Sequence, residues 1–377
     1  MTKAIPAPAS PAGDDPSPLF EPFSIGSMEL PNRIVMAPMT REFCPDGVPG
    51  GEVAEYYARR AANGVGLIIT EATDIDHPSS WGDRTGVPRF FGADALAGWS
   101  HVVESVHAAG GRIIPQLWHV GSDRQDGKGQ RVLGPSGVTP SGDRSAVVMT
   151  DRDIDDVIAS FARAAADAQR LGFDGIELQG AHGFLIDQFL WERTNSRSDR
   201  YGGDAVARTR FAAEVVDACR EATSNTFPII MRISQWKVAD FTAQLAETPE
   251  DLEEIVTPLV EAGVGAFHCS TRRFWRAEFP GSDLNLAGWV KKVSGKPTIT
   301  VGSVGLADSD FMTLYTEGAG AATAGLEHLT AMLRRGDFDL VAVGRALLGD
   351  AEWAAKIRDG RHGELMPFEA SMVATLT

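Results

Sequence analysis

Two short motifs in this chain place glycine beside a hydroxyl or a cation at the end of an apolar run: Val301-Gly302-Ser303 and Val343-Gly344-Arg345. Glycine lets backbone N–H groups approach an anion closely, and an arginine neutralises it. Gly302, Ser303, Gly344 and Arg345 therefore have the parts of a phosphate site. Either motif alone reads equally well as a tight turn; two together, at the ends of neighbouring runs, favour the anion. Other apolar runs end in Thr40, Glu71, Gln116, His119, Gln179, Arg232 and His268, where a hydrophobic core has no use for polar groups. Arg232 stands apart, because a guanidinium keeps its proton and needs an acceptor-rich partner if buried. A phosphate on one side, a cation across from it and the Gln116 amide between them suit a flat phosphorylated cofactor such as FMN.

The elements that must hold these groups follow a regular order. Eight β-rich apolar runs, each followed by a helical segment, span Arg33–Thr40, Gly66–Thr73, Arg112–His119, Gly175–Gly180, Pro228–Ser234, Ala266–Thr271, Pro297–Ser303 and Leu340–Ala346. Runs such as Gly66-Val-Gly-Leu-Ile-Ile-Thr are almost continuously apolar, as parallel strands buried on both faces require. Between them, Ile154, Val157, Ile158, Phe161, Ala165, Ala168 and Leu171 share one face of a helix over Asp151–Leu171, which Gly172 ends. Another helix runs from about Glu250 to Ala262. Eight such units predict a closed (β/α)8 TIM barrel, with a doubly wound open sheet as the alternative. Active groups then belong at the C-terminal face, where each strand meets its loop. Phe23–Arg33 reads as a hairpin closing the barrel bottom. Long connections at Gly121–Thr150 and Arg272–Leu286 are suited to covering or selecting a ligand.

Composition narrows the partners. The 377 residues are 43% hydrophobic and 23% charged, enough to bury a core without disulfides or a structural metal. A formal charge of −16 disfavours nucleic acid and anionic membrane surfaces. Cys44, Cys219 and Cys269 are too few and scattered for a disulfide framework, a zinc site or an iron–sulfur cluster. A cytoplasmic protein is expected, with residues 1–18 a disordered tail and 19–377 one domain. The oligomeric state, monomer or homo-oligomer, is left open.

From Leu19 to about Phe368 the chain resembles the Old Yellow Enzyme family of FMN-dependent oxidoreductases. The resemblance is carried by Gly172-Phe-Asp-Gly-Ile-Glu-Leu-Gln-Gly-Ala-His-Gly-Phe-Leu-Ile-Asp-Gln-Phe-Leu, continued by Thr194-Asn-Ser-Arg-Ser-Asp-Arg-Tyr-Gly-Gly. Asn32-Arg-Ile-Val-Met-Ala-Pro-Met-Thr, Pro115-Gln-Leu-Trp-His-Val-Gly and the two phosphate motifs agree in order and spacing. It implies non-covalent FMN with Pro38, Met39 and Thr40 near the ring, Ala72 beside it, Gln116 on the pyrimidine edge and Arg232 near N1 and O2. Gly302, Ser303, Gly344 and Arg345 would hold the phosphate, and NADPH or NADH would be the electron donor. Without the cysteine-rich extension and second domain of larger relatives, electrons are expected to arrive from NAD(P)H or leave to an acceptor by direct encounter.

The likeness breaks at the catalytic positions. Where the family carries a histidine followed by asparagine or histidine, this chain has Gln179 and His182, and Phe184 stands in the place of the proton-donating tyrosine. Glutamine still donates an N–H, histidine serves as donor or, when cationic, as acid, and phenylalanine donates nothing. Drift with the activity kept is one reading; the other is a preference for substrates needing no carbon protonation, such as nitro compounds, quinones or amines. Trp118, Trp191, Phe274 and Trp275 are candidate substrate contacts or rim filling. Arg272, Arg273 and Arg276 would attract an acidic substrate or nicotinamide phosphates, or form a solvated run. The leading expectation is hydride from NAD(P)H delivered through FMN to an enone, nitro compound or quinone. The alternatives are oxidation or N-demethylation of a small amine, and a degenerate barrel that binds flavin without turnover.

Overall fold

The computed structural model of the chain describes residues 15–80, 85–123, 131–307, 314 and 317–377. Most of the expected tail lies outside them, but Ser17–Phe20 form a 3-10 helix with Pro18 and Leu19 buried, so order begins before residue 19. A hairpin of β1 (Phe23–Ile25) and β2 (Met28–Leu30) leads into β3 (Ile34–Met36), β4 (Leu67–Asp74) and β5 (Arg112–Trp118). A two-residue pair, β6 (Leu133–Gly134) and β7 (Val147–Val148), lies in the long loop after β5. Then come β8 (Ile176–Gln179), β9 (Ile229–Ser234), β10 (Ala266–Ser270), β11 (Thr298–Val301) and β12 (Leu340–Val343). Strands β3, β4, β5, β8, β9, β10, β11 and β12 close in that order into a parallel barrel, the expected (β/α)8 architecture.

Strand alternation divides the core in two. One set of side chains, including Ile68, Ile113, Ile176, Met231, Phe267 and Val341, packs outward against the helices. The alternate set, Val35, Leu67, Ile69, Ile114, Ile230, Ala266, Ile299, Leu340 and Ala342, fills the barrel's lower interior together with Ile25, Met28 and Leu30 of the hairpin. The hairpin is thus the apolar floor. Continuing the inward alternation upward gives Gln116, Glu177, Gln179, Arg232, His268 and Ser270: the interior turns polar halfway up.

The helices follow local rules. Thr150 and Asp153 form a reciprocal cap on Asp151–Arg170, as do Thr248 and Asp251 on Pro249–Glu261, each satisfying donors that the first turn leaves unpaired. Among the described residues no helix is long and apolar enough to cross a membrane.

Candidate active site

The polar interior is organised around Glu177, which is fully buried. Gln116 Nε2 donates to its Oε1 at 2.6 Å, and His268 Nδ1 lies 2.7 Å from its Oε2. In register Arg232 sits between Gln179 of β8 and His268 of β10. Arg232 is buried, and that burial pulls its pKa down while the Glu177 charge supports the cation. Among the described residues, Arg232 Nε, His268 Nε2, Gln179 Oε1 and Trp118 Nε1 are buried near strand ends without a hydrogen-bond partner. Each such orphan costs about 1–3 kcal/mol unless a ligand meets it. Together they form a cradle for a polar-edged molecule seated on the barrel.

Backbone strain marks the same rim. Among the described residues four that are not glycine have left-handed φ, and three of them, Glu42 (61°), His182 (67°) and Ser303 (55°), follow β3, β8 and β11. Such conformations cost about 1–3 kcal/mol and cluster at functional sites. Gly302 is obligatory here: with φ 145°, a Cβ would lie 2.6 Å from the Thr271 carbonyl oxygen. Its neighbour Ser303 donates to the Arg272 carbonyl at 3.2 Å, tying the β11 loop to the β10 loop. Gly344 lies against Met39, a Cβ there coming within 3.6 Å of the sulfur. Arg345 opens a five-residue helix. Pro38 and Met39 are half-buried and Thr40 is exposed, so one side of the mouth is open to solvent.

The loop after β8 carries the residues in which the chain departs from the family. His182 Nε2 and the Ser270 hydroxyl are 2.7 Å apart, and Gln179 Nε2 lies 3.4 Å from Nδ1. The His182 ring stacks on Trp236 with centroids 4.4 Å apart. Burial first, then the positive charges of Arg232 and Lys237, push its pKa well below the usual value. The ring is therefore neutral at pH 7, a hydrogen-bonding group rather than a cationic acid. Phe184 meets Trp118 edge to face at 5.1 Å and packs with Ala72, Val87 and Val120 into an apolar wall. A β-bulge between Ile69 and Ala72 turns Ala72 to face Gln116.

The remaining aromatic candidates go elsewhere. Trp191 is buried beside the Lys237–Asp187 ion pair, the ammonium 5.7 Å from its ring centroid. Phe274 is buried in the outer core, its ring against Trp275 and His328. These residues are not gathered with Trp118 and Phe184. Sequence reasoning passed over Glu177, Ser270, Trp236 and the Lys237–Asp187 pair. For Glu177 a signal existed, since a charge between Ile176 and Leu178 in a short strand must point into the barrel.

Glu71, singled out as a polar strand end, holds the rim instead. Its Oε2 accepts the N–H groups of Arg41 and Glu42 at 2.8 and 3.0 Å. Burial, only partly offset by these bonds and Arg41, raises its pKa to about 7 from a usual 4.5. Because the folded state binds this proton more tightly than the unfolded chain, the stability Glu71 contributes is greatest below pH 4.5, falls through the interval up to about 7 and is level above it. Glu71→Gln should flatten that slope, measured as urea midpoints between pH 4.5 and 8; an unchanged slope would assign the titration to another group.

Fold and mouth define a (β/α)8 barrel of enzyme type, with its polar groups at the C-terminal face. The sequence pattern of the NADH:flavin oxidoreductase / NADH oxidase family matches residues 18–364, and the chain belongs to that family, the Old Yellow Enzyme group expected from its motifs. It is 34% identical over 368 residues to a protein named NADH oxidase from Thermoanaerobacter brockii, covering 92% of this chain and 52% of that protein. It is 38% identical over 222 residues to 12-oxophytodienoate reductase 1 of Oryza sativa subsp. japonica, covering 56% of this chain and 57% of that protein. The chain thus spans about half the length of these curated relatives. Among solved structures, morphinone reductase in complex with tetrahydroNAD superposes with a TM-score of 0.78 at 29% identity, covering 94% of this chain and 93% of that one.

Proposed function

We propose that this protein is an FMN-dependent oxidoreductase that takes hydride from NADH or NADPH and reduces an electron-poor small molecule such as an enone, nitro compound or quinone. The observation carrying this reading is Arg232, buried near the C-terminal end of its strand with an unpartnered Nε, in a barrel whose β5 carries Gln116 and whose β11 and β12 lead into the Gly302-Ser303 and Gly344-Arg345 turns. When bound, FMN supplies the two-electron chemistry that no side chain here can perform.

The residues divide the work. Pro38, Met39, Thr40 and Ala72 border the ring, Gln116 meets the pyrimidine edge, and Arg232 neutralises charge near N1 and O2. Gly302, Ser303, Gly344 and Arg345 receive the phosphate. Gln179 and His182 supply hydrogen bonds to an acceptor oxygen, while Phe184 and Trp118 exclude water on one side. No residue in the tyrosine's place can deliver a proton to carbon. Acceptors whose oxygens take protons from solvent therefore fit this mouth better than enones. Trp191 and Phe274, both buried, and Trp275, half-buried against Phe274, contribute by packing behind the site rather than by touching the substrate. The family name and relatives named for NADH oxidase and oxophytodienoate reduction support the nicotinamide donor and the direction of electron flow.

Acid precipitation of the purified protein should release FMN and no FAD; a colourless protein that cannot be reconstituted would overturn the assignment. Arg232→Met should lower the midpoint potential of the bound flavin. A hydrogen bond to a charged group contributes about 1.5–3 kcal/mol, or roughly 30–60 mV for a two-electron couple. An unchanged potential in an FMN-loaded variant would remove Arg232 from the ring.

A further inference from the structure

We propose that Glu177 is a positioning residue for the flavin site, the fixed anion that sets the sense of the Gln116 amide and the tautomer of His268 and opposes the charge of Arg232. The inference rests on the flavin reading above.

An ionised carboxylate only accepts hydrogen bonds. With Glu177 fully buried and bonded to Gln116 on one side and His268 on the other, both neighbours must turn a donor toward it. Gln116 commits Nε2 downward, which leaves Oε1 for an N–H at the pyrimidine edge. His268 commits Nδ1–H, which leaves Nε2, buried and without a partner, as a bare acceptor on the side of Arg232. One acidic side chain thereby fixes which polar atoms two others present to the ligand. The same charge acts on Arg232, two residues further up the neighbouring strand. Reduction places negative charge on the pyrimidine ring, which Arg232 favours and Glu177 opposes. Removing the carboxylate charge must then favour the reduced form.

Two measurements test this. In Glu177→Gln, which keeps the size and an acceptor oxygen, the affinity for reduced FMN relative to oxidised FMN should rise about tenfold, equivalent to about 30 mV for a two-electron couple. Glu177→Asp, keeping the charge, should stay near the original ratio. An unchanged ratio in FMN-loaded Glu177→Gln overturns the inference and leaves the flavin reading standing. Absence of FMN from the unmutated protein overturns both. The second measurement needs no folded variant at position 177: nitrogen-15 NMR of histidine-labelled protein, with His268→Gln to assign the signal, should show Nδ1 protonated and Nε2 bare. A bare Nδ1 would mean that the proton resides on the carboxyl group, and the fixed anion would be disproved.

Discussion

Phe184→Tyr should accelerate reoxidation of the reduced enzyme by an enone by up to ~10²–10⁴-fold, the range of a well-placed general acid, and leave quinone reduction almost unchanged. Enone reduction needs a proton at carbon, which exchanges slowly with solvent, whereas quinone oxygens are protonated by water. The structure shows the surroundings the new hydroxyl would enter. Phe184 begins the helix Leu185–Leu190, and its ring packs against Trp118 beside Ala72 and Val87. The partnerless indole N–H of Trp118 adds a donor on the same wall. The double variant Gln179→His with Phe184→Tyr then tests whether polarisation of the carbonyl is also limiting. Equal gains for enone and quinone in anaerobic rapid mixing would show that the hydroxyl is not a carbon acid. No gain for either would mean that water or another group already delivers the proton.

This prediction depends on the one stretch where family pattern and residue chemistry disagree, and it shows what sequence could reveal. The barrel was legible because parallel strands buried on both faces leave apolar runs, and the eight expected runs coincide with the eight barrel strands, only Asp74 of β4 falling outside. The expected ends overshoot where glycine turns the chain out of the sheet: β11 stops at Val301 before Gly302, and β12 at Val343 before Gly344. Candidate residues at strand ends were legible for the same reason. What escaped were interactions joining distant segments. His182 stacks on Trp236 from the next strand's loop, and its Nε2 is held by Ser270 from the strand after that. Phe274, a candidate substrate contact or rim filler in a long loop, is buried because the loop folds back over the core. Nothing in local composition distinguishes a loop that covers a ligand from one that covers the core.

The Lys237–Asp187 pair was equally invisible to sequence, 50 residues apart, and its disruption should give the largest stability loss. Both side chains are fully buried at 2.7 Å. Lys237 Nζ also donates to the Ser234 carbonyl at 3.2 Å, and Asp187 Oδ2 accepts the Gly183 N–H at 2.7 Å. The Val238 N–H donates to the His182 carbonyl at 3.1 Å. The pair therefore pins the strained His182 turn to the loop after β9. Lys237→Met leaves a buried carboxylate without its counter-ion, a loss of about 3–5 kcal/mol when the remaining group is charged. Burial already raises the Asp187 pKa even with Lys237 present to lower it. In the variant it rises further, so protonation relieves part of the penalty in acid. With the folded pKa above the unfolded one, the loss should be smallest below the unfolded value of about 3.9, grow from there up to the folded pKa, and level off above it. Adding Asp187→Leu should recover much of the stability and remove the pH dependence, because a well-packed apolar pair often replaces a buried ion pair at little cost. Urea unfolding of the two variants at pH 5 and pH 8 decides the matter. A loss equal at both pH values, or a double variant no more stable than Lys237→Met at pH 8, would show that the turn is held by packing rather than by the stranded charge.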